Sequence, residues 1–168
     1  HTGRTGPCAD ALVDAGVSLD ALSRDLSALP CGPIRLRAEK VHRCGIRATR
    51  VHVEIPHEHA HRGLSDIRAL IDAAALPETV KERAVRIFTR LGEAEAAVHG
   101  CPIDHVHFHE VGALDAIADI VGASAAMEHL GVAEVRFSTL RLGGGTVRAA
   151  HGDLPVPAPA TARLIAGY

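Results

Sequence analysis

The stretch IRLRAEKVHRCGIRATRVHVEI, residues 34–55, decides the fold class. Ile34, Leu36 and Ala38 alternate with Arg35, Arg37 and Glu39. After Arg43-Cys44-Gly45 the alternation returns as Ile46, Ala48, then Val51, Val53 and Ile55. Successive side chains of a strand point to opposite faces, so a period of two marks a half-buried strand. The stretch therefore predicts two adjacent antiparallel strands joined by a short connection.

Helical patterns flank this pair on both sides. Upstream, residues 9–29 read as two helical pieces, broken at Val17-Ser18-Leu19-Asp20 with Ser18 as N-cap. Leu19, Leu22, Leu26 and Leu29 follow helical spacing, and Pro30-Cys31-Gly32-Pro33 ends the unit. Downstream, Leu64 to Ala75 places Leu64, Ile67, Leu70 and Ile71 on one face, with Ser65 and Asp66 in the first turn. Pro77 opens a long helix to about Val98, with Val80, Ala84, Ile87, Phe88 and Leu91 as its stripe and His99-Gly100 as its close. Ile103 to His109 reads as extended, Ala113 to Leu130 as a third apolar helix ending at Gly131, and Glu134 to Leu140 as a strand. Gly143-Gly144-Gly145 is a turn and Thr146 to Ala150 a short strand. Pro155, Pro157 and Pro159 exclude regular helix until about Ala160. The order ααββααβαβ predicts an α+β fold: a mixed sheet with antiparallel strand pairs packed by helices, in a single domain.

Composition narrows the function. The 168 residues include 12 His, 18 Lys+Arg and 20 Asp+Glu, a net charge of −2 with His neutral. There is no Trp, with 3 Phe and 1 Tyr. The chain lacks the basic face and stacking aromatics of a nucleic-acid binder. No apolar run approaches the roughly 20 residues of a membrane span, and the start has no apolar signal-peptide core. Cys8, Cys31, Cys44 and Cys101 form no CxxC pair, which fits free or buried thiols in a reducing cytoplasm.

Six histidines sit in two clusters, His57-Glu58-His59-Ala60-His61 and His105-Val106-His107-Phe108-His109-Glu110. Both place His at i, i+2 and i+4, which an extended backbone puts on one side. Imidazole suits borderline divalent metals such as Zn, Cu, Fe and Ni. Three imidazoles on one edge cannot surround an ion, and carboxylates follow each cluster: Asp66 after the first; Glu110, Asp115 and Asp119 after the second. Asp115 and Asp119, four apart in an apolar run, share a helix face. A single triad reads equally well as a solvated strand edge; two triads with carboxylates favour metal binding. His42, His52, His99 and His129 read as ordinary polar residues, and His151-Gly152 as a loop position of intermediate interest.

Three strings carry a family resemblance: HEHAHRGLSDI at 57–67, VHFHEVGALDAIADIVG at 106–122 and HGDLPVPAPAT at 151–161. Their order and spacing resemble the N-terminal part of LarC-type nickel-insertion proteins. The resemblance implies a CTP-dependent cyclometallase, a lyase, that inserts Ni(II) into pyridinium bisthiocarboxylic acid mononucleotide. It also implies a separate C-terminal domain for CTP with Mg(II) or Mn(II), so that residues 1–168 are the nickel-handling part. Homo-oligomerisation, through the full-length protein, stays open.

On that resemblance His57, His59, His61, His107, His109 and Glu110 are the expected metal ligands. Glu110 and Asp115 are the expected catalytic carboxylates, Glu110 taking the proton that leaves the pyridinium carbon. The family opens with a strand and a Gly-x-Ser-Gly-Asp-Met-like loop. Here Gly3-Arg4-Thr5-Gly6-Pro7-Cys8 stands instead, without the strand or the acidic residue, so no role transfers to that loop. Two other readings of the residues stay open: a metal-binding or storage module without catalysis, and a two-metal hydrolase.

Overall fold

The computed structural model describes residues 2–4, 7–55, 62–108, 112–149 and 152–166. Helix α5 (Leu114–His129) is the packing centre. It buries Leu114, Ile117, Ala118, Val121, Ala125 and Ala126, more than one stripe, so it must be covered from several sides. Helices α1 (Pro7–Asp14), α2 (Leu19–Ser27) and α4 (Glu78–His99) supply that cover. The predicted break lies between α1 and α2, where the Ser18 hydroxyl accepts from the Ala21 N–H at 3.4 Å. Leu22 and Leu26 of α2 are buried, as are Ile67 and Ile71 of α3 (Leu64–Asp72). Helix α4 follows Pro77 and ends on Gly100 at φ +65°, the left-handed cap that glycine adopts without strain.

The deciding stretch forms β2 (Arg35–Arg43) and β3 (Ile46–Glu54), antiparallel with Leu36 opposite Val53 and Ala38 opposite Val51. Cys44 and Gly45 turn the hairpin at φ 50° and 80°. A two-residue turn with both φ positive matches the twist of its strands. Val51 and Val53 face the core. The same sheet face meets α1 through two carboxylates. The Asp10 carboxylate accepts from the Val51 N–H at 2.7 Å, and Asp14 accepts from the Thr49 hydroxyl and from Lys40. The outer face carries Arg37, Glu39, Arg50 and His52, with His52 Nε2 2.9 Å from Glu39 Oε1.

Two smaller antiparallel ribbons complete the strands: β4 (Arg62–Gly63) with β5 (His107–Phe108), and β6 (Thr146–Ala149) with β7 (Gly152–Pro155). Helix α6 (Pro159–Ile165) packs on α4. The chain is α+β in a single domain, the strands of its described residues shared among three small antiparallel sheets.

Four local expectations change. Residues 133–144 contain no strand, and Val135 and Phe137 are 62% and 61% exposed. Their alternation had predicted one, but among the described residues no strand pairs with them, and pairing rather than propensity makes a strand. Ile103–His105 is a 3-10 turn instead of extended chain, opened by Pro102. The start does hold a short strand, β1 (Thr2–Arg4), antiparallel to β3. The proline-rich run holds an unpredicted strand, β7, before α6 begins at Pro159, close to the expected Ala160 and at a residue preset for the first helical turn.

Candidate functional site

The β4–β5 ribbon joins the two residues that follow the first histidine cluster to two residues within the second. Arg62 stands opposite Phe108 and Gly63 opposite His107. Arg62 and His107 are 45 positions apart in the chain. His57, His59, His61, His109 and Glu110 lie outside the described residues, as does His151.

Phe108 fixes the ribbon to the core. It is 3% exposed and meets Phe88 edge-to-face, with ring centroids 6.4 Å apart and an interplanar angle of 63°. Gly92 of α4 gives it room: a Cβ there would stand 3.5 Å from the Phe108 ring and 3.3 Å from Ile103. With Val106 and Phe108 both buried, strand alternation turns His107 outward, where it is exposed. Its cross-strand neighbour Gly63 has no side chain to cover it. His105 is exposed too, but it sits in the 3-10 turn, so the second triad does not run along one extended edge.

The far end of the second segment is pinned at Gly112. Arg62 Nη1 donates to the Gly112 carbonyl at 3.2 Å. A Cβ on Gly112 would fall 2.7 Å from the Phe108 carbonyl oxygen and 3.1 Å from that of Arg62, so any side chain there forces the backbone apart. Residues 108 and 112 therefore lie against each other and both touch Arg62. Sequence reading missed Arg62, Gly63 and Gly112; the signal was an Arg-Gly pair directly after one histidine run and a Gly three residues after the other.

The candidate carboxylates fall into different roles. Asp66 accepts from the Gly63 N–H at 3.0 Å and so caps α3. Asp115, in the first turn of α5, is exposed and accepts from the Ala116 N–H at 2.8 Å. Asp119, one turn on, is half-buried. Among the described residues, no group of three His, Cys, Asp or Glu is placed to hold a metal ion. Gly143-Gly144-Gly145 is an exposed connection, and a Cβ on Gly143 would meet Val156 at 3.2 Å. The histidines read as ordinary have carboxylate neighbours or open solvent. His52 meets Glu39, His129 meets Asp25 at 2.6 Å, His99 meets Glu95 at 3.6 Å, and His42 is exposed. The four cysteines form no disulfide, and no helix among the described residues is long and apolar enough to cross a membrane.

Comparison with known proteins gives a consistent outcome. A family model described as nickel insertion protein matches residues 7–168. A pyridinium-3,5-bisthiocarboxylic acid mononucleotide nickel insertion protein of Desulfitobacterium hafniense strain DCB-2 is 53% identical over 157 residues, 94% of this chain and 39% of that protein. A protein of Roseiflexus castenholzii is 53% identical over 156 residues, covering 93% of this chain and 40% of its own length. The chain thus spans about two-fifths of the length of the curated relatives it matches. No solved structure gives a significant match.

Proposed function

This chain belongs to the nickel insertion protein family, and from that premise we propose that it is the nickel-handling part of an enzyme that metallates pyridinium-3,5-bisthiocarboxylic acid mononucleotide. Nickel is the cargo. His57, His59 and His61 capture it from one segment; His107, His109 and Glu110 hold it from the other. The observation that carries this reading is the β4–β5 pairing, which sets the residues just after the first histidine cluster against His107 and Phe108 of the second. Five imidazoles and one carboxylate drawn from two clusters meet the coordination need that one triad on one edge leaves unmet.

The chemistry asked of the residues is limited. Metallation forms a nickel–carbon bond as a ring C–H bond breaks, and the proton needs an acceptor. Glu110 takes it, with Asp115 as the second carboxylate of the site. The reaction class is that of a cyclometallase, a lyase. CTP with Mg(II) or Mn(II) belongs to the part of the longer relatives that this chain does not span. A cytoplasmic setting suits cysteines that form no disulfide.

Equilibrium dialysis with Ni(II) tests the ligand assignment. The chain binds Ni(II), and the His107→Ala/His109→Ala variant loses that binding; equal stoichiometry and affinity in both would remove these two ligands from the site. In a full-length relative carrying the same strings, Asp115→Asn at the matching position keeps Ni(II) binding and loses metallation. A variant that metallates normally would remove Asp115 from the catalytic pair.

A further inference from the structure

We propose that Arg62 is a positioning residue for nickel capture, acting by fixing the spacing of the two histidine segments; this rests on the function proposed above. Arg62 directly follows His61, the last histidine of the first cluster. Its backbone pairs with Phe108, which stands in the chain between His107 and His109, and its guanidinium donates to the carbonyl of Gly112, two residues after Glu110. One residue thereby joins the chain beside the first cluster to the chain on both sides of His109 and Glu110.

The choice of arginine fits a tether. A guanidinium carries five donors and no acceptor, and stays protonated at any physiological pH. It can hold a carbonyl beside a cation site without competing as a ligand, which a histidine or carboxylate in its place would do. The geometry around Gly112 makes the tether short: with a Cβ excluded by the Phe108 oxygen at 2.7 Å, residues 108 and 112 stay in contact. Two segments held at fixed spacing lose less conformational freedom when an ion joins them than two free ones do, and that difference appears as affinity.

Isothermal titration of the 168-residue chain with Ni(II), alongside the ligand-field absorption of the bound ion, tests this. Arg62→Ala retains the wild-type stoichiometry, weakens affinity by about tenfold or more, the scale expected for losing a hydrogen bond from a charged donor, and shifts the ligand-field bands. Arg62→Lys, which keeps a cationic donor, restores the bands and part of the affinity. The metal-free melting temperature of Arg62→Lys stays at the wild-type value. Should Arg62→Ala fail to fold, Arg62→Gln, a shorter neutral donor, serves in its place with the same expectation.

Unchanged affinity and bands in Arg62→Ala, with wild type binding Ni(II), overturn the positioning role alone. A loss of affinity that Arg62→Lys does not repair, matched by an equal fall in the metal-free melting temperature, assigns Arg62 to general stability and also overturns it. Absence of Ni(II) binding by the wild type overturns the functional reading, and the positioning role with it.

Discussion

Asp66 and Asp115 look alike in the sequence, each an acid shortly after a histidine run, and they separate only in three dimensions. Asp66 is used by the backbone, accepting the Gly63 N–H that would otherwise be an orphan donor at the start of α3. Asp66→Ala should therefore cost about 1 kcal/mol of stability, read by urea unfolding, whether or not metal is present. Asp14 is a different case. The Thr49 hydroxyl, then Lys40, hold its carboxyl below the ordinary 3.8. A carboxylate with a depressed folded value contributes stability that is fully present above its unfolded value and is lost as pH falls through the folded one. Glu39, held below 4.5 chiefly by the hydrogen bond from His52, acts in the same direction. Urea midpoints followed from neutral pH down through the acid range should fall in the wild type. They should fall less steeply in Asp14→Asn, because that variant has already lost the contribution at neutral pH. None of this was legible beforehand, since the partners of Asp14 lie 26 and 35 residues away.

At the scale of elements, periodicity worked where burial is one-sided and failed where pairing decides. The β2–β3 hairpin, α3 and α4 all declare a face, and each forms within a few residues of the expected bounds. The β4–β5 ribbon has two residues per strand, too few to show a period, and a pair that short does not stand by itself. Its stability comes from Phe108, which predicts a contrast between two rings in contact. Phe88→Ala and Phe108→Ala should each cost roughly 3–5 kcal/mol in unfolding. Under conditions where both variants remain folded, Phe108→Ala alone should also weaken Ni(II) binding, because only Phe108 belongs to the ribbon. The opposite failure occurs at 134–140, where a clear alternation produces no strand. Leu140 is 46% exposed, so Leu140→Glu should change the stability of this chain by no more than about 0.5 kcal/mol.

For the whole molecule, the α+β class was legible because a two-period hairpin is set among helices whose apolar stripes have to be buried against one another. The family was legible from three strings that the match over residues 7–168 contains. What could not be read was the four-residue ribbon, which depends on Phe108 reaching the core and on Gly112 being small enough to lie against residue 108. The central claim of the proposed function is that the two histidine runs form one site. Metal analysis after saturation with Ni(II) and removal of loosely held ion tests it most directly, on wild type, His57→Ala/His59→Ala/His61→Ala and His107→Ala/His109→Ala. A shared site predicts a single ion per chain in the wild type and little or none in either variant. Two ions in the wild type, with one retained in each variant, would contradict it.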